Sequence, residues 1–424
     1  MYKELNIKSS LMDLASKAEK ELAPIFKQYE DVALFNSAKV LRAFQNVMLT
    51  CSDFCENTGY GYYDKGRDKL EQVYSEVFKA EDALVRPQIM SGTHALSITF
   101  FGLLKHGDTL ISITGEPYDS LKGIIGISGE SRNSLIAHGV NFEQIDLKNN
   151  DFDIEAITQR LKQSNVRMVE IQRSRGYSQR DSLSVEKIEK VCKAIKEVSK
   201  DTIIMVDNCY GDFVEKKEPI EVGADILVGS LLKNLGAGEA KTGGYVVGKK
   251  ELVNDVAERF SAPCVGKDIG ANMNQLMSFF KGIYHAPSVV KESLKTMTLA
   301  SFMLEKLGYD VNPKYNDKRA DIVQTIRLGN KDDLIEFCRG IQKGVALENF
   351  VTLIPSEMPG YPHEEIMASG SFVSGSTIEL SCDGPICPPY TAYMQGGLTY
   401  EYGKLGLLIS LTHLQNMKKE KTEE

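Results

Sequence analysis

The chain has no tryptophan, and only eight cysteines and six histidines occur among its 424 residues. It contains neither a C-x-x-C nor an H-E-x-x-H motif, and no two histidines lie close together. These are the spacings that zinc sites use, so we predict no structural metal. Cysteines this sparse are typical of free thiols in a reducing compartment rather than of a disulfide framework.

The chain also lacks a basic excess. Its 50 Lys and Arg residues stand against 58 Asp and Glu residues, for a net charge of −8. Without a basic tract it is a poor ligand for nucleic acid or for anionic membranes. Its apolar runs are far shorter than the ~20 residues that span a bilayer. The N-terminal sequence MYKELNIKSSLMDL has no signal-peptide core. We therefore expect a cytoplasmic protein with neither a nucleic-acid nor a membrane partner.

Hydrophobic periodicity divides the chain into three predicted parts. Helical spacing in the first 50 residues predicts an N-terminal helical arm, residues 1–57. Over 58–285, short apolar strands alternate with amphipathic helices, which favours a mostly parallel sheet with helices on both faces. The remaining residues, 286–424, predict a smaller C-terminal α/β domain with strand-like runs ADIVQTIRL, FVTLIP and SFVSGSTIELS.

Ligands of such sheets bind at the carboxyl ends of the strands, and two candidate features lie there. Ser91, Gly92 and Thr93 join a predicted strand to a helix, whose free N–H groups and dipole suit a phosphate. An ordinary helix N-cap would explain the same residues. Asp207 ends the apolar strand TIIMV and could bind a metal, act as a base or hold a ring nitrogen protonated. A turn residue is the alternative interpretation.

Two more candidates follow other strands. Lys233 comes three residues after Ser230, the end of the strand DILVGS, where partial desolvation would lower its pKa, as a Schiff-base amine requires. A solvated loop lysine is the alternative, and Lys241 is its competitor. Tyr118, in TGEPYDS, could stack on a planar cofactor or simply pack in the structure.

The four features together match what pyridoxal 5'-phosphate needs. This cofactor requires an imine-forming lysine, a carboxylate at its ring nitrogen, a phosphate cup and a flat apolar face. They occur in the chain order cup, aromatic residue, aspartate and lysine. Their conjunction is far more specific than any one of them, and we predict a pyridoxal-phosphate site.

Seven stretches, spread from about residue 58 to 408, carry a family resemblance. They are GYGYYDKGRDKLE, RPQIMSGTHA, TGEPYDS, EIQRSRGYSQRDSL, IMVDNCYGDF, GSLLKNLGAGEAKTGGYVVG and YMQGGLTYEYGKLG. They resemble the fold-type I pyridoxal-phosphate enzymes of Cys/Met metabolism, the cystathionine lyases and methionine gamma-lyase. The strongest resemblance is to the bacterial branch labelled aluminium resistance protein or methionine gamma-lyase family protein. It implies a mostly parallel seven-stranded sheet in the large domain, and a homodimer or homotetramer with shared active sites.

The resemblance also implies roles for individual residues. Lys233 resembles the lysine that forms the Schiff base, and Asp207 the partner of the pyridinium nitrogen. Tyr118 resembles the stacking tyrosine, which in the family also relays protons. The phosphate contacts are implied for Ser230 and for the cup, namely Ser91, Gly92 and Thr93.

The sequence departs from the family pattern in several places. Leu232 replaces the threonine that precedes the lysine, and Tyr62 and Arg67 only loosely match a Tyr-x-Arg pair that a neighbouring subunit donates. The family's carboxylate-binding arginine near the C-terminal strand is absent from YGKLGLLISL. A guanidinium suits a carboxylate, so the substitutes we expect are Arg173, Arg175 or Arg327.

The predicted activity is a carbon–sulfur lyase acting on a sulfur-containing amino acid by β- or γ-elimination, as in cystathionine beta-lyase or methionine gamma-lyase. Lys233 would remove the α-proton, Asp207 would keep the cofactor ring protonated, and Tyr118 would assist the departing group. The alternatives are another fold-type I reaction, such as aminotransfer or aldol cleavage, and a non-catalytic stress-response protein that holds the cofactor. A nucleotide-binding protein lacks support, because neither G-x-G-x-x-G nor G-x-x-x-x-G-K-[ST] is present.

Overall fold

The computed structural model describes residues 4–60, 64–163 and 165–423. Its contacts divide the chain into two units. The large unit is Asn36–Tyr284, and the small unit combines Met1–Phe35 with His285–Glu424. The segment predicted as an N-terminal arm is thereby divided between the units after Phe35. The second division falls one residue before the predicted domain boundary at 285.

Ten α-helices are found in the described residues. They are α1 Ser9–Asn46, α2 Lys65–Phe78, α3 Gly92–Leu103, α4 Asp119–Ile125, α5 Ile154–Leu161, α6 Val185–Val198, α7 Lys250–Phe260, α8 Leu276–Lys306, α9 Lys331–Lys343 and α10 Tyr400–Glu423. Within the described ranges, none of them combines the length and apolar character that a bilayer crossing needs.

The large unit contains a seven-stranded sheet of order β1-β7-β6-β5-β4-β2-β3. The strand pairs from β6 to β3 are parallel, and β7 runs antiparallel to both of its neighbours. This confirms the mostly parallel seven-stranded sheet that the resemblance implied. The strands are β1 Asp82–Arg86, β2 Thr109–Ser112, β3 Asn141–Gln144, β4 Val166–Gln172, β5 Ile203–Asp207, β6 Ile226–Ser230 and β7 Gly244–Gly248.

Burial on both faces explains why the central strands read as unbroken apolar runs. Every residue of β5 and of β6 is buried. The covering helices are amphipathic, as α6 shows: its buried residues recur every three or four positions, and Ser184 caps its first turn by accepting from Lys187 N at 3.3 Å. The parallel strands β2, β4, β5 and β6 therefore end at one edge, where the candidate residues follow.

The small unit holds a five-stranded antiparallel sheet of order β10-β11-β12-β9-β8. Its apolar core includes Leu334 and Phe337 of α9 and Leu407 and Leu411 of α10. The smaller α/β domain predicted for the C-terminal part corresponds to this arrangement. The strands are β8 Asp310–Asn312, β9 Gln324–Arg327, β10 Glu365–Ser369, β11 Ser381–Pro385 and β12 Thr391–Gln395.

Candidate active site

Lys233 lies just beyond β6, in a turn that begins where Ser230 Oγ accepts a hydrogen bond from Leu232 N at 3.1 Å. Its amine sits over the ring of Tyr210, 4.1 Å from the ring centroid. Desolvation lowers the pKa of Lys233, but the neighbouring groups Cys209, Tyr210 and Asp207 raise it more. Its pKa therefore lies above its ordinary value, and the sequence-based expectation of a lowered pKa is wrong for the chain without cofactor. The competitor Lys241 is exposed.

Asp207 is the last residue of β5 and is buried. Its Oδ1 accepts from Cys209 N at 3.0 Å, which fixes the start of the following loop. A second buried carboxyl, Glu170, lies on the adjacent strand β4. Desolvation, followed by the negative charge of Asp207, raises the pKa of Glu170 to about 7. Glu170 therefore holds its proton up to about neutral pH.

The predicted phosphate cup forms the N-terminus of α3. Ser91 is its N-cap and accepts from His94 N at 3.1 Å, while Thr93 Oγ1 lies 3.0 Å from the hydroxyl oxygen of Ser120. A Cβ added to Gly92 would stand 3.2 Å from Cys209 Sγ, so a side chain there would fill this space. The first N–H groups of a helix lack partners within the helix and suit an anion.

Tyr118 begins the loop-to-helix turn after β2 and is partly exposed. Its N–H donates to Gln172 Oε1 at 2.8 Å, and its ring meets the Tyr177 ring edge-on at 5.9 Å. A Cβ on Gly176 would stand 3.0 Å from Tyr118 Cδ2. The end of β4 and the loop that follows it thus hold the tyrosine in place.

A cavity of about 370 Å³ opens beside this tyrosine, and we call it the Tyr118 cavity. Its lining comes from the loops that follow β2, β3 and β4. The residues are Thr114, Gly115, Glu116, Pro117, Tyr118, Asp119, Lys122, Asp146, Leu147, Asn150, Gln172, Arg175, Gly176, Tyr177, Ser178 and Arg180.

Of the three arginines predicted to bind substrate, Arg173 is fully buried and bound to the protein itself. Its Nη1 donates to Asn208 Oδ1 at 2.7 Å and to Gly211 O at 2.9 Å. The same guanidinium pairs with Glu215 at 3.2 Å and Glu218 at 3.5 Å. Arg173 therefore organises the loop after β5, and this geometry does not fit the predicted role in substrate binding.

The other two arginines differ from each other. Arg175 lines the Tyr118 cavity and is 1% exposed, yet its Nε and Nη2 have no hydrogen-bond partner among the described residues. Arg327 belongs to the small unit, where its half-exposed side chain pairs with Asp310 at 3.0 Å.

The Tyr-x-Arg substitutes are described only in part. Tyr62 lies outside the described residues. Arg67, in α2, is buried, and its N–H donates to the capping Asp64 at 3.0 Å. Its Nε stands 3.5 Å from Asp68, and neither Nε nor Nη1 has a hydrogen-bond partner within the described ranges. These contacts do not bring Arg67 to Lys233 or Asp207, and its predicted role stays a prediction.

Several neighbours of these residues escaped the sequence analysis. Cys209 and Tyr210 flank the Lys233 amine, Glu170 lies beside Asp207, and Gln172 holds Tyr118. The only sign of them in the sequence was their position, because each lies within three residues of a predicted strand end. In the described residues no group of three or more His, Cys, Asp or Glu could hold a metal ion.

The donor set fits pyridoxal phosphate. A primary amine, a buried carboxylate and a glycine-containing helix N-terminus all border Cys209. The cradle at Gly92 leaves room that a Cβ would occupy, which suits the close approach of a backbone to a phosphate. An aromatic side chain, Tyr118, lies at the same edge of the sheet and is open on one side to the cavity.

Known proteins of the same length and fold resemble this chain. A sequence family described as methionine gamma-lyase matches residues 11–415. The Bacillus subtilis (strain 168) protein YnbB is 43% identical over 406 residues, which are 95% of this chain and 96% of YnbB. A Clostridium novyi NT structure, named carbon-sulfur lyase involved in aluminum resistance, is 43% identical with a TM-score of 0.93, covering 97% of both chains.

More distant structures share the fold alone. The pyridoxal-5'-phosphate dependent protein YhfS from Escherichia coli is 17% identical, with a TM-score of 0.61 over 89% of this chain and 96% of YhfS. The similarity confirms the predicted fold class, a fold-type I architecture with a mostly parallel seven-stranded sheet.

Proposed function

The chain belongs to the methionine gamma-lyase family, and from this premise we propose that it is a pyridoxal-phosphate-dependent carbon–sulfur lyase acting on a sulfur-containing amino acid. One observation carries the proposal: the amine, the carboxylate and the helix N-terminus meet around Cys209. Its side chain is hydrogen-bonded to the Lys233 amine, and its N–H donates to Asp207 Oδ1. A Cβ on Gly92 would stand 3.2 Å from its Sγ.

The chain offers a residue for each part of the cofactor. Lys233 would hold it covalently, Asp207 would pair with its ring nitrogen, and Tyr118 would cover one face of the ring. Its phosphate would lie at the cup and Ser230. When bound, pyridoxal phosphate supplies an electron sink for the carbanion that forms at the substrate Cα.

Three side chains, those of Lys233, Asp207 and Tyr118, each hold or transfer a different proton. Lys233 Nζ takes the proton from the substrate Cα, as a positioned general base. Asp207 would keep a proton on the ring nitrogen of the bound cofactor, because a buried carboxylate stabilises an adjacent positive charge. The Tyr118 hydroxyl donates to the departing sulfur. The balance is one amino acid and one water in, and one thiol (hydrogen sulfide when the substrate is cysteine), one keto acid and one ammonia out.

The expected assembly rests on the family resemblance, and the expected location rests on the composition and the N-terminal sequence. We expect a homodimer or homotetramer whose subunits share active sites, in the cytoplasm. The mostly parallel sheet of the large unit and the net charge of −8 support a protein that works on small molecules.

The activity is tested with the purified, cofactor-loaded protein and a panel of cystathionine, methionine and cysteine. Thiol, keto acid and ammonia should form in equal amounts, and both Lys233→Ala and Asp207→Ala should abolish them. Lys241→Ala, the same change at an exposed lysine of the neighbouring turn, is the matched control and should retain turnover. Keto acid that forms only with an added amino acceptor would identify an aminotransferase instead. Unchanged turnover in Asp207→Ala would contradict the role given to that carboxylate.

A further inference from the structure

Arg175 is a buried cation to which the described residues offer no charged partner. Its side chain is 1% exposed, it forms no ion pair with any described carboxylate, and its Nε and Nη2 lack hydrogen-bond acceptors among the described residues. Burying a charge without compensation is costly, and native structures tolerate it where a ligand supplies the missing partner. The open space beside it is the Tyr118 cavity, which Arg175 lines.

The other cations of the Tyr118 cavity are already engaged. Lys122 pairs with Glu116 and Asp119, both at 2.9 Å. Arg180 donates to two backbone carbonyls of the loop after β4, those of Gln172 and Ser174, at 2.6 Å each. Among the cationic side chains that line the cavity in the described part of the chain, Arg175 is therefore the one whose guanidinium is left for a ligand.

The loop that carries Arg175 is fixed in place. Ser178 donates to the Arg175 carbonyl twice, from its N–H at 3.1 Å and from its hydroxyl at 2.6 Å. Gly176 has φ +57°, and a Cβ there would stand 3.1 Å from Gln172 Nε2. A guanidinium on so constrained a loop is preorganised, so a ligand loses little by ordering it.

The chemistry of the Arg175 guanidinium indicates which kind of ligand it would bind. A guanidinium presents parallel N–H donors that match the two oxygens of a carboxylate. A cavity of about 370 Å³ has the size of a small-ligand pocket, and Tyr118 forms part of its wall. We infer that Arg175 binds the carboxylate of the amino-acid substrate, a role that rests on the proposed function and replaces the arginine missing from the C-terminal strand.

Two reagents that differ by one carboxylate test this inference. Aminooxyacetate and methoxyamine both react with the aldehyde of pyridoxal phosphate, and the loss of its absorbance gives the rate. In Arg175→Gln the rate with aminooxyacetate should fall by about 30-fold or more, because truncating one side of a buried charge pair costs at least about 2 kcal/mol. The rate with methoxyamine should stay within about threefold of wild type, since this reagent has no carboxylate to lose.

Two further variants sharpen the comparison. Arg175→Lys keeps the charge but loses the paired donors, so its rate with aminooxyacetate should fall between those of wild type and Arg175→Gln. Arg132→Gln, the same substitution in an exposed loop, should leave both rates unchanged. The inference is overturned if Arg175→Gln slows the two reagents equally or leaves both rates unchanged.

A wild-type protein that takes up no pyridoxal phosphate would show that the proposed function is wrong, whether or not Arg175 binds a carboxylate. The melting temperature of the cofactor-free chain then tests Arg175, with malonate and inorganic phosphate as probes. Stabilisation of wild type by malonate, but not of Arg175→Gln, supports a carboxylate site. Equal shifts in both proteins, or a larger shift with phosphate than with malonate, overturn the assignment.

Discussion

Glu170 provides the most quantitative test of the site's electrostatics. Both of its carboxyl oxygens are buried and have no hydrogen-bond partner among the described residues. The hydroxyl of Ser112 donates to Gly115 O at 2.8 Å, and it lies near enough to Glu170 to lower the pKa of that carboxyl in part. Desolvation and then the charge of Asp207 raise the pKa of Glu170 from 4.5 to about 7. Replacing Glu170 by glutamine keeps the shape and removes the titration.

The sign and size of the effect follow from proton linkage. Between pH 4.5 and about 7 the unfolded chain releases this proton while the folded chain retains it, so stability falls as the pH rises through that range. Each unit of pKa is worth about 1.4 kcal/mol, so the cost reaches about 3 kcal/mol at pH 8 and about 1 kcal/mol at pH 5. The variant Glu170→Gln escapes this cost and should be the more stable protein at pH 8.

Thermal unfolding of the cofactor-free protein at pH 5 and pH 8 measures the difference. The advantage of Glu170→Gln should be larger at pH 8 by about 5 °C, given about 2 °C per kcal/mol for a unit of this size. Glu130→Gln, in an exposed loop, is the control and should show no dependence on pH. An advantage that does not change with pH, or a Glu170→Gln protein that is less stable at pH 8, would refute the assignment of a buried, protonated carboxyl.

Three further substitutions test the packing around the site. Arg173→Met removes the cation that faces the buried Glu218 and should lower the free energy of unfolding by about 3 kcal/mol in urea, with no loss expected if the pair is solvated. Gly176→Ala forces a side chain onto a residue at φ +57° and against Tyr118, so we expect about 1–3 kcal/mol of destabilisation, and an unaffected melting temperature would contradict the contact. Ser184→Ala removes the N-cap of α6 and should cost about 1 kcal/mol, whereas Ser184→Asp should restore it.

The sheet of the large unit could be predicted because its strands are buried on both faces. Unbroken apolar runs such as β5 and β6 can be recognised as strands from composition. The residues that follow them lie at the site because parallel strands end at the same edge of the sheet. The small unit was harder. FVTLIP is apolar and was predicted as a strand, but residues 350–355 form none, and Phe350 and Ile354 are 84% and 69% exposed. Strand pairing depends on a distant partner, which local composition does not reveal.

The contacts that individual side chains make were the hardest feature to predict. Arg173 and Arg175 lie two residues apart in one loop, and both were predicted to bind the substrate carboxylate. The structure separates them, because Glu215 and Glu218 from a later loop neutralise Arg173, whereas no described carboxylate pairs with Arg175. The pKa of Lys233 is raised for a similar reason, since the effect of the polar groups around its amine outweighs desolvation.

The central claim is that Lys233 holds pyridoxal phosphate, and one measurement tests it most directly. The purified protein is reduced with borohydride, its absorbance is recorded before and after, and the labelled peptide is identified by mass spectrometry. We expect a yellow protein whose colour is lost on reduction, with the mass of the reduced cofactor added to Lys233. A label on the exposed Lys241 would contradict the site, and a colourless protein that takes up no cofactor would contradict the enzyme.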